Sequence, residues 1–204
     1  MNNTWILGID NGISGSIALM DPKGKIVMYE HVPVYKERKW TKAKVKKLKS
    51  GTKVQHDQIT LIDVDRLQSL LVKYTSVIPD IHCFLERPAI SYNSKWGMHT
   101  AVSASMSWAY VVFVLKKLKI ERTDIDSKEW QKALIPEATG SHNKEYMKTL
   151  KAGERNDLLK EASYMFAQSI CPKFKSKDPG DADPICLCEY GRRKLQGLLD
   201  AEIV

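Results

Sequence analysis

Cysteine is sparse: four residues in 204, at 83, 171, 186 and 188, with no Cys-x-x-Cys pair and no histidines near enough to complete a zinc site. A disulfide-stapled secreted domain and a zinc ribbon are thereby disfavoured, and free core thiols in a reducing cytosol are expected. Long hydrophobic runs are also missing. The most apolar stretch, Ala101 to Leu115, is interrupted by Ser103, Ser105 and Ser107, so it falls short of the roughly 20 apolar residues a membrane span needs. The apolar N-terminal run has no basic segment before it and flows into a strand pattern, which argues against a cleavable signal.

Acid is scarce in one region. Between Lys36 and Lys53 stand nine bases (Lys36, Arg38, Lys39, Lys42, Lys44, Lys46, Lys47, Lys49, Lys53) and one acid, Glu37. Of the 32 bases and 24 acids in the chain, 23 of each remain once this segment is set aside, so it carries the whole net charge of +8. So dense a cationic strip favours a polyanion, and nucleic acid is the common one. A solvated lysine-rich loop is the plain alternative. The rest of the composition, 43% hydrophobic and 27% charged, is that of an ordinary folded domain, and 204 residues suffice for one domain with a sizeable core.

The element order follows from periodicity. Thr4 to Asp10 and Ser14 to Met20 are apolar and β-prone around a Gly-rich turn, and "DPKG" leads into a third strand near Lys25 to Val34, giving three antiparallel strands. The basic segment, about 36–57, reads as an inserted loop or short amphipathic helix. Leucines at 67, 70 and 71 predict a helix over Val64 to Tyr74, and "IHCFLE", Ile81 to Glu86, reads as a strand buried on both faces. A helix over His99 to Lys119 is apolar around most of its circumference. It is expected either to be buried on all sides or to cover a partner subunit with Ala101, Ala104, Ser105, Trp108 and Val112. A strand (Ile120 to Ile125), a helix capped by Asp126 or Ser127, a helix near Glu154 to Ile170 and a last helix burying Ile185, Leu187, Cys188 and Leu195 complete the chain.

Three placements of acid stand out. Asp10 ends the first apolar run in "GIDNG", Glu86 ends the run at Leu85, and Asp178, Asp181 and Asp183 cluster in "DPGDADP", where the last helix begins. With the two strands side by side and the helix start laid against them, these carboxylates converge. Like charges that close are costly unless a cation neutralises them, and oxygen-only ligands suit Mg²⁺ or Mn²⁺. Taken singly, each acid has a structural alternative: a turn cap for Asp10, a surface pair with Arg87 for Glu86, an N-cap for the others.

In order and type, "GIDNG", "FLERP" and "DPGDA" before an apolar helix resemble the RuvC-type Holliday junction resolvases, of the RNase H-like nuclease fold. The resemblance spans nearly the whole chain. It implies an α/β fold with a five-stranded mixed sheet in the order 3-2-1-4-5, three antiparallel strands then two parallel, flanked by helices, and a single domain over 1–204. It also implies that Asp10, Glu86, Asp178 and Asp181 bind two Mg²⁺ ions, with Mn²⁺ as substitute, with Ala182 as the motif alanine. A homodimer would cut four-way DNA junctions by paired symmetric nicks. The family's basic residue near the scissile phosphate would be Lys151, Arg155 or Lys160, and its aromatic at the junction centre Ile90, Tyr92 or Trp96. Lys42, Lys44, Lys46 and Lys47 are the expected phosphate contacts of the basic segment.

This chain departs from the family pattern in its long basic segment and in Asp183 and Pro184, which stand early in the last helix; proline there is compatible with a start at Asp181 or Asp183. Two other readings compete. "GIDNGISGS" also resembles the first phosphate loop of sugar-kinase and actin-like ATPases, but the chain is short for two lobes and has no second phosphate motif. A nuclease of the same fold acting on flaps, forks or RNA–DNA hybrids carries the same residues. The expected location is cytoplasmic, in a bacterial or virus-infected cell, or organellar.

Overall fold

The computed structural model describes residues 3–38, 44–48, 51–55, 58–88, 98–135, 149–176 and 178–199. Among the described residues nine strands run: β1 Trp5–Ile9, β2 Ser16–Met20, β3 Ile26–His31, β4 Val34–Arg38, β5 Lys44–Leu48, β6 Gly51–Gln55, β7 Gln58–Ile62, β8 Ile81–Glu86 and β9 Glu121–Ile125. The helices are α1 Val64–Thr75, α2 Met98–Lys117, α3 Ser127–Leu134, α4 Ala152–Ile170 and α5 Asp183–Leu195, the last preceded by a 3₁₀ turn, Pro179–Ala182.

Five strands form the central sheet in the order β3-β2-β1-β8-β9. β1 pairs antiparallel with β2 and parallel with β8; β2–β3 is antiparallel and β8–β9 parallel. This is the expected arrangement, with the fourth and fifth places taken by the eighth and ninth strands because four others intervene in the chain.

The period-2 alternation of strand side chains divides the core into two layers. Ile6, Ala18, Met20 and Phe84 face α3, α4 and α5 with Trp130, Ile185 and Tyr190. Leu7, Ile9, Ile17, Leu19, Cys83 and Leu85 face α1 and α2 with Leu67, Leu71, Val111 and Val114. Being covered on both sides, β1 is apolar throughout and β8 is apolar apart from His82 and its terminal Glu86.

On the α5 side Gly8 and Gly191 let backbone and ring approach closely. A Cβ at Gly8 would lie 2.1 Å from the Pro184 carbonyl oxygen, and one at Gly191 2.3 Å from the Phe84 ring. α5 therefore sits directly against β1 and β8 with its first residue, Asp183, at the sheet's edge.

Several expectations change. Where it is described, the basic segment is β-structure rather than loop or helix: β4 pairs with β7 and β5 with β6, both antiparallel. The β-branched Val45 and Val54, directly paired across β5 and β6, suit a pleated strand better than a helix. β3 ends at His31; the pairing carries on for one more bond, from the Val32 N–H to the Gly15 carbonyl at 2.9 Å, and Pro33 then has no N–H to give. α2 ends at Lys117; Lys119, at φ 57°, takes the left-handed position that closes a helix, with the Ile120 N–H on the Leu115 carbonyl at 3.0 Å. Nor is α2 covered on all sides, since Val102, Met106 and Phe113 are exposed, Phe113 at 58%, while Ala104, Ser105, Trp108 and Val112 are half-buried. Leu195, expected in the core, is exposed. Among the described residues no helix is long and apolar enough to cross a membrane.

Near the end of α5 the buried carboxylate of Glu189 receives Arg192 (Nε 2.7 Å, Nη2 2.8 Å) and Arg193 (Nε 2.7 Å), and Arg193 lies over the Phe166 ring. Burial pushes the Glu189 carboxyl up, but the two guanidinium groups more than offset this and hold it below 4.5. A depressed folded-state pKa stabilises the fold above the unfolded value, and that stabilisation is lost as pH falls through the folded value. Glu189→Gln is expected to cost about 1–3 kcal/mol at pH 7, the range for charged hydrogen bonds, and the gap from wild type should narrow below pH 4.5. Urea unfolding at the two pH values checks this; a gap independent of pH would contradict it.

Candidate active site

Parallel pairing of β1 with β8 places Ile9 against Leu85, so Asp10 and Glu86 follow at adjacent positions at the C-terminal edge of the sheet. Asn11 ties the two strand ends, its side-chain amide donating to the Glu86 carbonyl. The Asp10 carboxylate accepts the Gly12 N–H at 3.2 Å, while its own N–H bonds the Ser16 carbonyl at 3.1 Å. Glu86 accepts the indole N–H of fully buried Trp130 of α3 at 3.2 Å.

Asp183 opens α5 over these two. Burial first, then the charges of Glu86 and Asp10, push its carboxyl well above the ordinary carboxylate value, while Lys160 of α4 pulls it back. Glu86 is raised to about 8 by burial and then by Asp10, against the lowering hydrogen bond from Trp130. Asp10 is raised by burial, lowered by the Gly12 N–H, raised by Asp181 and lowered by Lys160. Three half-buried carboxylates thus feel one another, and the N-terminal dipole of α5 supplies only a partial positive charge.

The other two acids have different neighbours. Asp181 is buried within the 3₁₀ turn; its carbonyl accepts the hydroxyls of Ser16 at 3.2 Å and Tyr29 at 3.1 Å, its carboxylate accepts the Ser176 hydroxyl, and His31 Nδ1 is 3.9 Å away. Asp178 is 64% exposed, caps the turn by accepting the Gly180 N–H at 2.9 Å, and pairs with Lys160 at 3.7 Å.

Of the predicted residues, the fold brings together Asp10, Glu86 and Asp181, adds Asp183 more closely than Asp178, and puts Asp178 on the rim. Lys160 reaches the acids. Arg155 is exposed and donates to the Leu150 carbonyl at 3.1 Å, and Lys151, also exposed, precedes α4. Lys42 and Tyr92, with Ile90 and Trp96, lie outside the described residues; Lys44, Lys46 and Lys47 are placed by backbone on β5. Trp130, Asn11, Ser16 and Tyr29 went unread because each carries an ordinary core or turn signal. Only their pairing with acids distant in sequence marks them.

Among the described residues no three histidine, cysteine or acidic side chains stand in metal-ligating geometry. The donor set nevertheless fits a hard divalent cation: carboxylate oxygens only, partly shielded from water, and destabilised by mutual repulsion that a cation relieves. A concavity of about 280 Å³ lined by Asp80, His82, Lys119 and Glu121 lies at the opposite edge, where β8 and β9 begin, and is separate from this cluster.

No family model and no curated protein matches the sequence. Solved structures do match: Thermus thermophilus RuvC in complex with a Holliday junction substrate, at 10% identity, and Thermus thermophilus RuvC by itself, at 11%, each with a TM-score of 0.50 over 97% of this chain and 99% of the other. The fold is RNase H-like. Sequence identity this low carries the RuvC-like architecture alone, and the edge where Asp10, Glu86 and Asp183 gather is the site it presents.

In metal-free protein the raised Glu86 pKa means that the ionised form opposes folding, so stability is lost as pH rises from 4.5 through about 8. Glu86→Gln is expected to melt several degrees above wild type at pH 9 in chelator and to converge with it near pH 5. Equal melting at pH 9 would contradict the repulsion described here.

Proposed function

We propose that this protein is a divalent-metal-dependent endonuclease that resolves four-way DNA junctions by paired, symmetric nicks. One observation carries the reading: Asp10, Glu86 and Asp183, distant in sequence, gather half-buried and mutually repelling at the C-terminal edge of a RuvC-like sheet. A solved structure of that fold holds a Holliday junction substrate.

Asp10, Glu86 and Asp183 would hold Mg²⁺, with Mn²⁺ as substitute. Divalent ions bound there supply Lewis-acid activation of water and neutralise charge at the phosphodiester. The chain's own groups do the rest. Trp130 fixes the Glu86 carboxylate by its N–H, and Asn11 holds the two strand ends together. Asp181, gripped by Ser16, Tyr29 and Ser176, fixes the turn that delivers Asp183. Lys160, half-exposed beside the acids, offers a cation to the anionic phosphate where negative charge grows. Cleavage would leave a 5′ phosphate.

A homodimer fits the two-fold symmetry of a junction, and the exposed Val102, Met106 and Phe113 of α2 provide an apolar face for it. Phe113→Glu is expected to yield monomers in sedimentation and to uncouple the two nicks; a dimer unchanged by the substitution would remove α2 from the interface.

Cleavage of synthetic four-way junctions, forks and linear duplex in Mg²⁺ tests the function. Paired nicks near the branch point are expected, reduced roughly 100-fold or more in Asp10→Asn and Asp183→Asn with binding retained, and no more than about tenfold in Asp178→Asn, whose carboxylate stands outside that group. Equal cutting of linear duplex would overturn junction resolution. Preferred cutting of forks would move the function to another branched substrate, and undiminished cutting by Asp183→Asn would overturn the site.

A further inference from the structure

We infer that the strand pairs β4 with β7 and β5 with β6 act as an arm that grips duplex DNA beside the active site and leads a duplex onto the acidic cluster. This takes DNA as the partner from the function proposed above. The position of the arm's root, however, follows from topology alone.

β3 is antiparallel to β2 and β2 to β1, so β3 runs in the direction of β1. Its end, His31, therefore lies on the edge that carries Asp10 and Glu86, and the ring nitrogen of His31 is 3.9 Å from Asp181. The chain leaves the sheet there and enters β4 three positions later, at Val34. The root of the arm is fixed. Ile62, at the end of β7 and paired with Val34, is fully buried, and the Asp63 N–H bonds the Pro33 carbonyl at 2.8 Å.

Beyond that root the register is unusual in charge. In β4, Lys36 stands opposite Thr60 and Arg38 opposite Gln58. In β5, Lys44 stands opposite Gln55, Lys47 opposite Thr52, and Lys46 directly opposite Lys53. Among the described pairs, no cation of the arm has an acid across from it. Opposed like charges destabilise a strand pair, and opposed unlike ones stabilise it. An isolated two-stranded ribbon is already marginal, so a register with this bias works against folding of the free arm. It is favoured once a polyanion lies along it. A two-stranded ribbon also has dimensions that a DNA major groove admits. Contacts of this kind go to phosphate and are indifferent to base sequence.

The length of the arm sets a limit. From Val34 to Leu48, at about 3.3 Å per residue, the chain reaches at most about 50 Å. This covers about 15 base pairs at roughly 3.4 Å each.

The test is binding in chelator, so that no cleavage takes part, with the full chain and synthetic junctions of increasing arm length. Wild-type affinity should rise with arm length and level off by about 15 base pairs. In Lys44→Gln/Lys46→Gln/Lys53→Gln the slope of log affinity against log salt should become shallower by two to three, since each lost phosphate contact removes about 0.9. The rise with arm length should flatten as well. The matching triple arginine variant should keep the wild-type slope, and melting curves of both variants establish that they are folded. An unchanged salt slope in the glutamine variant, or an equal loss of affinity for anionic lipid vesicles and for DNA, would overturn the arm as a DNA contact. A shallower slope in a protein that cuts no DNA would retain the arm and retire the nuclease, whereas junction cleavage with an unchanged slope would do the reverse.

Discussion

The close approach of α5 to β1 is the constraint on which the rest of the molecule depends. With no side chain at Gly8, the Pro184 carbonyl comes nearer to β1 than any Cβ would allow, and Gly191 does the same against Phe84. The helix is thereby seated low on the sheet, and its first carboxylate, Asp183, arrives beside the ends of two parallel strands. Each of those ends carries an acid. None of the three can leave, because strand pairing, the Trp130 hydrogen bond and the helix seat hold them. The fold thus spends stability on an acidic cluster, a pattern that marks functional rather than structural sites.

Around that cluster the chain distributes positive charge unevenly. Lys160 sits at the rim and pairs with Asp178, the acid least involved in that repulsion. The guanidinium groups of α5 are occupied elsewhere, on Glu189, and Lys194 is held by Glu129 and Tyr190. The large excess of base lies instead on β4 to β6, reached from the same sheet edge. Negative interior and positive arm are complementary to a bound metal and a bound phosphate backbone respectively, and this division is what a nuclease reading requires of them.

Much of this was legible in the residues. Short apolar runs ended by Asp10 and Glu86 read as strands buried on both faces with acids at their C-terminal edge, and their parallel pairing bears this out. What was not legible had physical causes. Asp178, Asp181 and Asp183 are close in sequence, and which of them faces the cluster depends on where the helix starts; the 3₁₀ turn Pro179–Ala182 delays that start to Asp183, turning Asp178 outward. The basic segment misled because its few apolar residues, Val45, Leu48 and Val54, show no strand period, while the pairing that makes them strands is tertiary. A face of α2 free to cover a partner was one of two expectations, but the exposed residues are Val102, Met106 and Phe113, because an all-round apolar helix does not say which side is left uncovered.

The central claim is that Asp10, Glu86 and Asp183 share a divalent cation. Anomalous diffraction from crystals soaked in Mn²⁺ addresses it without reference to activity. The account predicts a manganese peak coordinated by oxygens of all three side chains. A peak held by Asp178 and Asp181 alone, or none at this edge of the sheet, would contradict it.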